Sequence, residues 1–253
     1  MIKIIFIYFL FYNIAFANTI FESNKLNNIS YVDEIKELEN YDLTSFFKDR
    51  IFLMYAYDSI LVGKKNNIQC NKFNFDLKKF NLIIKSINKY NLSELNKFNV
   101  NYIVLCNNLK INNNFAAGFA NKDVSTIIID FSVDIKMIER ALHHEIFHIV
   151  SANQNTEMFN KNWLKQNNKD FFYKKCSECN LSYDTNLSFK NKGFLSEYSK
   201  YSIEEDQAEL FSFWMSDINI INEIVKKDTI IKSKIKILQN FLDLIGFVQK
   251  DYE

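Results

Sequence analysis

Residues 126–152 read TIIIDFSVDIKMIERALHHEIFHIVSA, and this stretch decides the fold. Thr126 to Phe131 is a short apolar run rich in β-branched side chains, the composition of a buried strand. Ser132 and Asp134 follow as candidate helix N-caps, because their short oxygen-bearing side chains can accept from the first free backbone N–H groups. From about Asp134 to Ala152, the apolar residues Ile135, Ile138, Leu142, Ile146 and Ile149 recur at helical spacing and predict one amphipathic helix. That helix carries His144-Glu145-Ile146-Phe147-His148, an H-E-x-x-H motif. Four residues advance a helix by about 6 Å and return nearly to the same face, so both imidazoles can reach one metal ion. Glu145 is rotated by about 100° from His144, which sets it beside the metal rather than on it. A carboxylate there can take a proton from water activated by zinc. His143, the only other histidine, lies off the ligand face and is read as incidental.

Catalytic zinc is held by three protein ligands and keeps a fourth position open. With no histidine left, the third ligand is expected to be a carboxylate. Residues 201–209, YSIEEDQAE, offer several on a second predicted helix of about 203–216. Glu205 and Glu209 share a face at i, i+4, and the small Ala208 between them lets this helix approach the first closely. One of the two could bind zinc while the other accepts the N–H of a ligand histidine. Glu204 and Asp206 are rotated off that face and read as a solvated acidic helix start.

The rest of the chain supplies the frame. Lys3, an apolar run over residues 4–16 and Ala15-Phe16-Ala17 have the three-part plan of a secretory signal peptide over residues 1–17, pointing to a secreted or periplasmic protein. Export makes disulfides the expected state of the four cysteines; of three possible connectivities the local one, Cys70 with Cys106 and Cys176 with Cys179, is preferred because nearby pairs close most readily. Charge is balanced, 31 basic against 30 acidic residues for a formal +1, which leaves no electrostatic footprint for nucleic acid. No later stretch is apolar enough to cross a bilayer. Residues 31–61 read as helical with a break near Asn40, and residues 76–90 as an amphipathic helix on Leu77, Phe80, Ile83, Ile84 and Ile87. Residues 100–106 (VNYIVLC) read as a strand, residues 153–193 as polar and irregular, and residues 229–245 as a last helix. Helices with a few strands and no βαβ alternation imply an α+β fold. Residues 18–114 are read as an N-terminal helical part of the same unit.

His144 to His148, a long insert, then GFLSEY over 193–198 and EDQAE over 205–209 resemble the catalytic domain of anthrax lethal factor. They also resemble related bacterial zinc peptidases of the zincin superfamily. Trp163 and Tyr173 are similar to an aromatic segment that such proteins carry between the two halves. The resemblance covers roughly residues 115–245 and implies a zincin-like catalytic domain over 115–253. It also implies Glu205 as third zinc ligand, Glu209 as the carboxylate behind a ligand histidine, and Tyr198 as the donor to the developing oxyanion, with Tyr201 the competing phenol. The strand before the active-site helix resembles the zincin edge strand, which can pair with an extended peptide. The function implied is a secreted or periplasmic zinc endopeptidase, with one Zn2+ per chain and a protein or peptide as substrate. The alternatives are hydrolysis of another amide, or a zinc-binding interaction protein whose site is structural or degenerate.

Overall fold

The computed structural model describes residues 28–39, 41–63, 66–174, 184–188, 190 and 192–247. The expected signal peptide, the expected Cys176–Cys179 bridge and the expected break near Asn40 lie outside the described residues. The described chain is an α+β fold with one mixed sheet. Its strands are β1 (Ile29–Tyr31), β2 (Phe52–Ala56), β3 (Ile60–Val62), β4 (Asn66–Asn71), β5 (Tyr102–Ile111), β6 (Asn114–Phe115), β7 (Gly118–Asn121) and β8 (Thr126–Asp130). Its helices are α1 (Thr44–Lys48), α2 (Leu77–Ile87), α3 (Leu92–Lys97), α4 (Ile135–Ala152), α5 (Glu157–Leu164), α6 (Ile203–Ser216), α7 (Ile218–Val225) and α8 (Thr229–Ile245).

The long strand β5 organises the sheet. Its first half runs parallel to β2 on one side and β8 on the other, and its second half pairs antiparallel with β4 and β6. Asp130 holds the bend between the halves, its carboxylate accepting from the backbone N–H groups of Asn108 and Leu109. Alternation along the central strands sends side chains to two cores. Leu53, Ile103, Leu105, Ile127 and Ile129 face the helices, whereas Met54, Val104, Cys106 and Ile128 face the cluster under β3 and β4. A sheet buried on both faces reads as continuous apolar runs rather than alternation. That is why residues 51–56 (IFLMYA) passed for helix. The helical reading of 31–61 is overturned: the segment holds three strands, two short 3-10 turns and only the five-residue α1.

Two further expectations change. The edge of the sheet is β7, antiparallel to β8 (Gly118↔Ile129, Asn121↔Thr126), so Thr126–Asp130 lies inside the sheet and is not the edge strand. Residues 153–193 are not wholly irregular, because α5 crosses them and buries Phe159 and Trp163. The cysteine pair within the described residues is as expected: Cys70 on β4 is bonded to Cys106 on β5.

Helix α4 runs as its sequence predicts. Asp134 caps it, accepting from the N–H groups of Lys136 and Met137 at 3.0 and 3.1 Å. Ile138, Leu142, Ile146 and Ile149 are fully buried, each worth about 1.5–3 kcal/mol relative to exposure. Helix α6 packs directly against α4, with Ala208 fully buried in it.

Candidate metal centre

The packing of α4 on α6 brings three side chains of the two helices together. His144 Nε2 lies 2.9 Å from Glu205 Oε2 and 3.0 Å from His148 Nε2, and His148 Nε2 lies 3.4 Å from the same carboxylate oxygen. These three atoms form a compact triangle. Ligands about 2.05 Å from a tetrahedral zinc would stand roughly 3.3 Å apart, so the donor set and its spacing fit that ion. Electrostatics agree. Burial would lower the His144 ring, but hydrogen bonds to Glu205 and Glu209 outweigh it and hold the ring up at about 10. The two carboxylates therefore favour positive charge at this ring. Burial would raise Glu205, but the neighbouring His148 and His144 hold its carboxyl below the usual carboxylate range.

Glu209 stands one turn behind Glu205. Its Oε1 is 3.3 Å from His144 Nδ1, and its Oε2 accepts from Ser196 Oγ at 2.7 Å. Arg140 Nη2 touches both carboxylate oxygens, at 3.2 and 3.1 Å. The acceptor at Nδ1 fixes which ring nitrogen of His144 is left for a metal. Glu145 is buried beside the triangle under β7, where the Ala120 N–H bonds to it. Burial pushes its carboxyl up, against the opposing pull of His144 and His148. Gly118 on β7 allows this closeness, because a Cβ there would lie 2.7 Å from Glu145 Cγ.

Tyr198 begins a single 3-10 turn, its ring 6.0 Å from that of His144 and stacked on Tyr201. Burial, then the charges of Glu205 and Glu145, raise its phenol far above the usual value, and it hydrogen-bonds to Glu205. It is therefore a protonated donor at neutral pH. A cleft of about 1210 Å3 opens above these groups, lined by β7, the β5–β6 hairpin and one face of α4 along its length.

Among the remaining candidates, Glu204 is exposed as expected. Asp206 is not solvated. It is buried and accepts from Trp163 Nε1 (2.8 Å), Tyr173 Oη (2.7 Å) and Lys234 Nζ (2.6 Å). Helix α6 is covered on that side by α5 and α8, which the periodicity of α6 alone could not show. His143 turns into the core onto Tyr90. Sequence reading missed Arg140, Ser196 and Gly118. Arg140 was detectable, since 140, 144 and 148 form one i, i+4 row on α4.

A family model described as "Putative zinc-binding metallo-peptidase" matches residues 106–244. The crystal structure of a Bacteroides caccae protein carrying the same description aligns over 85% of this chain and 87% of that chain, at 13% identity and a TM-score of 0.46. The Kluyveromyces lactis protein named "Probable intron-encoded endonuclease aI3" is 26% identical over 237 residues, or 78% of this chain. The chain spans 58% of the length of that relative. The family match covers the H-E-x-x-H helix, the strand before it and the helix bearing Glu205 and Glu209, and the chain belongs to the "Putative zinc-binding metallo-peptidase" family.

Proposed function

We propose that this chain is an exported zinc endopeptidase, with one zinc ion held by His144, His148 and Glu205 and with Glu145 as general base. The observation that carries this reading is the convergence of three ligand atoms beside a buried carboxyl, on the floor of a cleft rimmed by a sheet edge. A zinc ion bound there would act as a Lewis acid and lower the pKa of water in its open position. Glu145, placed next to that position, accepts the water's proton and hands it to the leaving amine. Tyr198 donates to the oxygen on which negative charge develops. The edge strand β7 offers backbone groups to an extended peptide. The mixed charge of +1 favours a peptide over a nucleic acid as substrate.

The test uses chain lacking residues 1–17, loaded with zinc and incubated with a mixed peptide library. Mass spectrometry should find internal cleavage products. Glu145→Gln should keep its zinc and lose activity by roughly 10²–10⁴-fold; cleavage at the wild-type rate by that variant would refute the mechanism. Export is checked separately, since the native protein should begin at Asn18, and an intact Met1 would overturn it.

A further inference from the structure

We infer that Arg140 is a positioning residue of the metal centre, acting on His144 through Glu209; the inference rests on the zinc reading above. Arg140 lies one turn before His144 on α4, so the two project from the same face. Its guanidinium is fixed on three sides. Nη2 spans both oxygens of Glu209, Nη1 donates to the Thr185 carbonyl at 2.9 Å, and the plane lies 3.7 Å from the Phe213 ring centre. Phe213 is one turn beyond Glu209 on α6, so a single side chain spans the contact between the two ligand-bearing helices.

Glu209 is 3% exposed. A carboxylate so deep needs compensating positive charge, and Arg140 brings a permanent one to both of its oxygens. Ser196 and His144 Nδ1 complete its contacts. Gripping both oxygens from one side sets the carboxylate plane, which points Oε1 at His144 Nδ1. That acceptor keeps the proton on Nδ1 and leaves Nε2 free to bind metal. Arg140 Nε is buried with no hydrogen-bond partner among the described residues. A side chain selected for packing alone would not carry that unmet donor, whereas one placed for its terminal nitrogens can.

The test is a double-mutant cycle on zinc affinity, measured in the chain without residues 1–17 by competition with a chromophoric chelator. Arg140→Gln should weaken zinc by about 10–100-fold, the usual loss when a ligand's outer partner is disturbed. Arg140→Lys should recover part of the loss, since one ammonium restores the charge but cannot keep both the Glu209 contact and the Nη1 anchor on the Thr185 carbonyl. Glu209→Gln should weaken zinc to a similar extent. Adding Arg140→Gln to Glu209→Gln should then change affinity by less than about two-fold, because Arg140 works through Glu209. Losses that multiply in the double variant overturn the proposal. So does a folded Arg140→Gln that binds zinc like wild type and shows only a raised KM, which would make Arg140 a substrate contact. If Arg140→Gln alone does not fold, the comparison between Glu209→Gln and the double variant still decides, since the double variant removes both members of the ion pair and strands no buried charge. His144→Ala is the separate control, and a His144→Ala protein that keeps its zinc would defeat the zinc reading itself.

Discussion

Glu204 and Glu205 are chain neighbours set about 100° apart around α6, and that rotation separates a solvated charge from a metal donor. Glu205 Oε2 lies within 3.4 Å of both histidine nitrogens, while Glu204 faces water. Glu205→Ala should therefore lose most bound zinc on dialysis, as His144→Ala should, and Glu204→Ala should retain it, with metal content read by atomic absorption. The reverse pattern would move the ligand assignment by one residue. Gly118 decides a finer matter. An added Cβ would overlap Glu145 Cγ and come within 2.9 Å of its Oε1, so Gly118→Ala must displace the proposed base or the edge strand. We expect kcat to fall by at least tenfold with zinc content unchanged, since the ligands lie on the two helices and not on β7. Tyr198→Phe should likewise keep zinc and lose mainly kcat, because its hydroxyl acts on charge present only in the transition state. A Tyr198→Phe enzyme with unchanged kcat and raised KM would reduce Tyr198 to a binding contact.

Helix α8 was legible because one face is buried and the other wet, with Ile231, Ile235, Leu238 and Leu242 on one apolar stripe. Helix α4 with its Asp134 cap and the span of α6 were legible too, although packing buries both on nearly every side over their middle turns. Strand β2 was hidden because Leu53 and Met54 face different cores and both are buried, which removes the alternation that marks a strand. The short strands β6 and β7 contain too few residues to show any period. Legibility also failed for Asp206, since the helices burying it lie far away in sequence. Its partner Lys234 is fully buried on α8 and also donates to the Gly193 carbonyl at 2.7 Å, next to the segment that carries Ser196 and Tyr198. Removing one member of a buried ion pair strands the other charge and typically costs about 3–5 kcal/mol. Lys234→Met should lower stability by that order in urea titration. Lys234→Met combined with Asp206→Asn should recover part of the loss, because no charge is then left alone. A double variant as unstable as the sum of the singles would mean that the two residues act separately.

At the scale of the molecule, the sheet divides the protein into two cores with different staples. On the helical side, His144 and His148 come from α4 and Glu205 from α6, so a bound ion would tie the two helices together. On the other side, Cys70–Cys106 ties β4 to β5 across a sequence separation of 36 residues. A metal present at 100 times its Kd stabilises the folded state by about 2.7 kcal/mol. A disulfide closing a loop of this size is worth roughly 4 kcal/mol on the chain-entropy account. Cys106 belongs to the core beneath β3 and β4, whereas Ile138, Leu142, Ile146 and Ile149 of α4 belong to the opposite core. The two staples thus share no partner, and their effects on stability should add. Chelation with EDTA should lower the unfolding free energy of the wild type and of Cys70→Ala/Cys106→Ala by the same amount within about 0.5 kcal/mol. The folded double-alanine variant should also bind zinc with wild-type affinity. If removing the disulfide weakens zinc tenfold or more in a protein that is still folded, the central sheet transmits strain from β5 through β8 to α4, and the two faces are one mechanical unit.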